Sequence, residues 1–117
     1  SEFRDLTAAA KEGNHRAALA LEVFSYSCKK YLGAYAAALG GVDCVVFTAG
    51  VGEHVTHVRK AIAENMEYMG MAIDDYKNEH IGDGIADISA ADSKVKVLVI
   101  PTNEELVIAR DTKRLAK

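Results

Sequence analysis

The chain has 117 residues, which is at most one domain. Half of them are hydrophobic and 26% are charged, the balance of an ordinary globular protein. The formal net charge of -3 gives no general electrostatic case for binding nucleic acid or an anionic membrane, and no apolar segment is long and charge-free enough to span a bilayer as a helix. The chain opens Ser1-Glu2-Phe3-Arg4-Asp5, with neither an initiator Met nor the apolar stretch of a signal peptide, so it reads as a fragment of a cytoplasmic protein. Cys28 and Cys44 stand among apolar neighbours and are expected as reduced core thiols rather than a disulfide.

In chain order, a short helix is expected over Asp5–Lys11, stopped at Gly13. Asn14 can cap a long helix running to about Leu39. The polar stripe of that helix is narrow (Glu22, Ser25, Lys29, Gly33), which predicts burial on most sides. Its alanines Ala34, Ala36, Ala37 and Ala38 permit close approach of another backbone, whether a neighbouring element or a second subunit. Gly40-Gly41 ends the helix. Val42–Thr48 reads as a strand, and the unbroken apolar run Cys44-Val45-Val46-Phe47 predicts cover on both faces. A helix is expected from Gly52 or Glu53 to about Met69, with Val55, Val58, Ile62, Met66 and Met69 as its apolar stripe and Arg59 as a solvated residue. A looser segment follows over Gly70–Asp83, then a short strand over Ile85–Ser89 and a turn at Asp92-Ser93. A second buried strand spans Val95–Ile100, and a last helix spans Asn103 to about Leu115. Strands alternating with helices predict an α/β sheet with helices packed on it.

The chemistry concentrates at two strand ends. Gly50-Val51-Gly52 closes the strand of the stretch VVFTAGVGEH and opens a helix. Ligands of α/β sheets collect beyond the carboxyl ends of strands. Glycine lets a nucleotide lie against the backbone, and free N–H groups of a first helical turn favour phosphate. The same glycines can equally serve as a plain turn, since neither G-x-G-x-x-G nor a Walker sequence is present. His54 and His57 follow Glu53 without the order of a zinc-protease motif and read as solvated side chains. In IPTNEELVIARDT, Thr102 and Glu105 have capping-box spacing. Glu104 is left over, as a carboxylate for Mg²⁺ or as a favourable charge at a helix start.

Three stretches together, SEFRDL at 1–6, VVFTAGVGEH at 45–54 and VLVIPTNEELVIARDT at 97–112, closely resemble the C-terminal end of acetate kinase. KKYLGAYAAALGGVD extends the likeness through the long helix. The resemblance implies an α/β fold, part of a ribonuclease H-like domain of the actin, Hsp70 and sugar kinase superfold. It implies that 1–117 is the C-terminal part of the second, nucleotide-binding domain, with the N-terminal domain absent. The activity it implies is phosphoryl transfer from ATP to acetate, giving ADP and acetyl phosphate, with Mg²⁺ as cofactor and a homodimer as the usual assembly. Gly50, Val51, Gly52, Glu53 and His54 match the family's adenine-nucleotide segment. Glu2, Phe3 and Arg4 match a second nucleotide-binding segment, and Glu104 matches the Mg²⁺-associated glutamate. The family usually has Asn at position 54 and Asp at position 2.

The resemblance also implies that the family's catalytic arginines and histidines, and its acetate pocket, lie outside this chain. No catalytic residue is therefore expected within it, and the chain alone should not catalyse, because phosphoryl transfer depends on neutralising charge at the transferring group. The alternatives are a propionate or butyrate kinase fragment and a non-catalytic nucleotide-binding or dimerisation module.

Overall fold

In a computed structural model of the chain, residues 2–48 and 55–101 are described, with side chains from Arg4 onward. Helix α1, Glu2–Lys11, begins three residues before the expected Asp5, and its Leu6 and Ala10, one turn apart, pack against the core. Gly13 adopts φ 93°. Asn14 then sits in extended conformation, and its Oδ1 accepts the Ala17 N–H at 3.0 Å, capping α2, His15–Leu39. The helix closes where the glycines require. Gly40 is left-handed at φ 76°, and the Gly41 and Gly40 N–H groups donate to the carbonyls of Ala36 (2.9 Å) and Ala37 (3.3 Å).

The sheet has the order β1-β3-β2. Strands β1, Cys44–Thr48, and β3, Lys96–Ile100, are parallel, in register from Cys44↔Lys96 to Thr48↔Ile100. The two-residue β2, Ala86–Asp87, pairs antiparallel with β3, and Ser89 bridges Ile73. Val45, Phe47, Val97 and Val99 point from one face into a core shared with Leu21 of α2 and with Val58 and Ile62 of α3, Thr56–Ala63.

The expectation that β1 is covered on both faces does not hold among the described residues. Cys44 is exposed and Val46 is 44% exposed. Among the described residues β1 lies at the edge of the sheet and the helices pack on its Val45–Phe47 side, while on the other face Ile100, at the end of β3, is buried. The cysteines differ accordingly from core thiols: Cys28 is half-buried on α2 and Cys44 lies on the open face.

Helix α2 is also less covered than its narrow polar stripe suggests. Leu19, Val23, Tyr26, Tyr31, Tyr35 and Leu39 are exposed, whereas Ser25, counted on the polar stripe, is buried and donates its hydroxyl to the Leu21 carbonyl at 2.9 Å. The reason is length. Twenty-five residues make a rod of about 37 Å, while its partners α1 and α3 have 10 and 8 residues, about 15 and 12 Å. Ala34, Ala37 and Ala38 are likewise exposed.

Helix α3 ends at Ala63, not near Met69. Asn65 takes φ 61°, a left-handed conformation that Asn tolerates better than most residues, and a 3₁₀ turn, Glu67–Met69, follows. Met66 remains buried after the break. Lys29 of α2 donates to the Glu64 carbonyl at 2.6 Å and so satisfies the end of α3. The segment expected to be loose contains helix α4, Asp75–Glu79, whose N-cap Asp74 accepts from the Lys77 N–H at 2.9 Å.

Candidate functional site

The parallel register places the two strand ends that lead to the candidate site. Thr48 and Ile100 are partners at the carboxyl ends of β1 and β3. The two informative sequence stretches therefore leave the sheet from neighbouring strand ends, where α/β sheets gather ligands. Gly50 is two residues beyond Thr48, and Glu104 is four beyond Ile100. Gly50, Val51, Gly52, Glu53, His54 and Glu104 themselves lie outside the described residues, as do the Thr102–Glu105 capping box and the expected helix Asn103–Leu115. Glu2, Phe3 and Arg4 form the first turn of α1, with Arg4 exposed.

The described residues frame this region from the far side of the glycine turn. Val55 is the N-cap of α3, without a side-chain hydrogen bond, and it is buried. His57 in the first turn is exposed. Partial burial of its ring pushes its pKa down, and the positive charge of Lys11, at the end of α1, pushes it the same way. Glu2 and Arg4 stand at the opposite end of α1, about 10–14 Å further along the helix.

Arg59 corrects the sequence reading. It was expected to be solvated, yet it is fully buried. Its Nε donates to Asn78 Oδ1 at 2.6 Å and its Nη2 to the Asn78 carbonyl at 2.8 Å, so the guanidinium grips one residue of α4 with two nitrogens. Nη2 also reaches Thr56 Oγ1 at 3.3 Å, and Asn78 Nδ2 donates to the Thr56 carbonyl at 3.1 Å. Burial lowers the guanidinium pKa, because a low-dielectric site disfavours the charged form. A signal for this burial was present in the sequence. Position 59 is four residues after Val55 and three before Ile62, on the apolar stripe itself. The partner, Asn78, carried no comparable signal.

Carboxylates among the described residues do not build a metal centre. No three His, Cys, Asp or Glu side chains converge there. Asp75 and Asp87 instead make surface ion pairs, with Lys60 at 3.4 Å and Lys96 at 3.9 Å. The described residues thus do not by themselves fit Mg²⁺.

The sequence profile of the Acetokinase family covers residues 1–110. The chain is 55% identical over 116 residues to the acetate kinase of Caldicellulosiruptor saccharolyticus, covering 98% of the chain and 29% of that protein. It is 55% identical over 117 residues to the acetate kinase of Methanosarcina acetivorans, covering 28% of that protein. The crystal structure of Porphyromonas gingivalis acetate kinase superposes with a TM-score of 0.83 at 47% identity, over 98% of this chain and 29% of that one. A propionate kinase from Francisella tularensis superposes with a TM-score of 0.75 at 34% identity, over 92% and 27%. The chain thus has the α/β fold of this region of those kinases, and spans less than a third of their length.

Proposed function

The chain belongs to the acetokinase family, and from that premise we propose that it is the C-terminal part of the nucleotide-binding domain of an enzyme that transfers a phosphoryl group from ATP to acetate. The observation that carries this reading is the pairing of Thr48 with Ile100, because it brings the departure points of the two motif-bearing segments side by side. In the proposed site Gly50 and Gly52 admit the nucleotide against the backbone, and Val51, Glu53 and His54 complete that segment. Glu2, Phe3 and Arg4 form a second nucleotide-binding segment. His54 can donate a hydrogen bond where the family usually has Asn, and Glu2 is one methylene longer than the usual Asp. Glu104 is the carboxylate that this chain would offer to Mg²⁺. The metal, when bound with the nucleotide, neutralises charge on the phosphates.

In the proposed enzyme this chain binds and orients. The groups that stabilise the transferring phosphoryl belong to the remainder of the protein, so the 117 residues alone do not turn over. The enzyme is proposed to be cytoplasmic and homodimeric. The apolar face of α2, from Leu19 to Leu39, supports an assembly in which that face is covered. Acetate is favoured as acceptor by the 55% identity to acetate kinases. The likeness to a propionate kinase supports a longer carboxylate as the second reading.

A hydroxamate assay with acetate, propionate and butyrate tests the proposal. The full-length enzyme should form the acyl phosphate fastest from acetate, and the 117-residue chain should stay at background. ATP-dependent turnover by the chain alone, or none by the full-length enzyme with any of the three acids, contradicts it.

A further inference from the structure

We propose that Arg59 and Asn78 are positioning residues for the nucleotide segment: without touching the ligand, they hold the first residue of α3, Thr56, in a fixed relation to α4. The inference rests on the nucleotide reading of residues 50–54. Thr56 is two residues beyond His54 and follows Val55, the buried N-cap of α3, so the ring acts where the described chain resumes after that segment.

The four bonds form a closed ring. Arg59 grips Asn78 through Nε and Nη2 at 2.6 and 2.8 Å, Asn78 Nδ2 reaches the Thr56 carbonyl at 3.1 Å, and Nη2 returns to Thr56 Oγ1 at 3.3 Å. Each polar atom of the Asn78 amide has a defined partner, and Arg59 and Asn78 are at most 1% exposed. Stability alone does not call for such a ring, because buried ionic groups are often replaced by well-packed apolar ones at no loss. Directionality is what the ring adds. The guanidinium is planar and its donors are fixed, so α3 cannot rotate about its axis without breaking at least two bonds. α4 is only five residues long, and the Asn78 carbonyl gripped by Arg59 is one of those its C-terminus leaves without helical partners. The Arg59 fork thus joins the end of α4 to the start of α3. Angular precision of this kind matters for a site that orients a reactant, since a misplacement of about 1 Å can cost up to about 100-fold in rate.

The test uses the full-length enzyme, with ADP titrated by calorimetry, melting temperature, and KM for ATP and for acetate. Asn78→Asp keeps the acceptor for Arg59 and adds an ion pair, but puts an oxygen against the Thr56 carbonyl in place of the donor. Its melting temperature should be kept or raised, while ADP affinity should fall about tenfold, the equivalent of about one hydrogen bond, and KM for acetate should hold. Arg59→Lys keeps the charge and loses the fork, and should weaken ADP similarly. Unchanged ADP affinity in both variants overturns the proposal and leaves the ring as a structural clasp. A loss of ADP affinity matched by an equal rise in KM for acetate overturns it too, since the effect would then be general. Gly52→Val separates the underlying reading. If it leaves ADP affinity intact, residues 50–54 do not hold the nucleotide. If it abolishes binding while Asn78→Asp and Arg59→Lys do not weaken it, only the positioning role fails. Should either substitution at these positions fail to fold, the other decides.

Discussion

Val97→Ala and Val46→Ala make the same chemical change on opposite faces of one sheet, and the structure separates their costs. Val97 is fully buried on the helix-covered face, whereas Val46, on the neighbouring strand, is 44% exposed on the other. Each substitution removes two methyl groups, with a transfer value of about 0.8 kcal/mol per buried carbon. For Val97 the full transfer, about 1.6 kcal/mol, applies, and an unrelaxed cavity raises the loss to about 2–3 kcal/mol. Val46 already meets water, so about half the transfer remains, roughly 0.8 kcal/mol, with little cavity term. At about 4 °C per kcal/mol for a unit of this size, the melting temperature of the 117-residue chain should drop by about 8–12 °C for Val97→Ala and about 3 °C for Val46→Ala. Differential scanning calorimetry at two protein concentrations measures both. Equal drops, with a concentration-dependent melting temperature, would refute the exposure of Val46 and mean that a second molecule covers it.

Glu105→Ala should lower the stability of the full-length enzyme by about 0.5–2 kcal/mol through loss of the capping box, whereas Glu104→Ala should leave the melt nearly unchanged and raise the Mg²⁺ concentration needed for turnover; the reverse pattern would exchange their roles. His57 should titrate below 6.5 by NMR, and Lys11→Met should bring it part of the way back, since burial is the larger cause. Because the neutral ring is favoured in the folded state, the contribution of His57 to stability is present above 6.5 and declines as pH falls below it; a Lys11→Met titration identical to the unsubstituted protein's would remove Lys11 as a cause. The Asp87 carboxyl is held below 3.8 chiefly by hydrogen bonds from Ser89, with its N–H donating to Oδ1 at 2.9 Å. Its stabilisation is therefore present above 3.8 and lost as pH falls through the lower folded value, and urea melts of Asp87→Asn at pH 3 and pH 6 should differ less than those of the unsubstituted chain.

What could be read from the sequence follows from how local each signal is. The bounds of α2 were legible because Asn14 and Gly40-Gly41 cap it through neighbours within five residues. The two parallel strands were legible from their apolar runs, but not their exposure, since an apolar run does not state which faces other elements reach. Ser25 was misread because a hydroxyl bonded to the carbonyl four residues back is satisfied without water. The end of α3 was missed because Met66 and Met69 continue the helical spacing through a break set by the left-handed Asn65. Arg59 was misread because its partner lies 19 residues away on a helix that the sequence pattern did not reveal. At the candidate site, the motif residues lie outside the described residues, and both the pairing of the two strand ends and the ring behind them became visible only in three dimensions.

Adenine nucleotide is proposed to bind where the chain leaves β1. Hydrogen exchange of the full-length enzyme, followed by mass spectrometry with and without ADP and Mg²⁺, tests it most directly. Peptides spanning residues 49–58 and 101–106 should slow on adding ADP, while peptides from the exposed stretch of α2, residues 31–39, should not change. Protection confined to other parts of the protein, with 49–58 exchanging at the same rate in both states, would contradict the account.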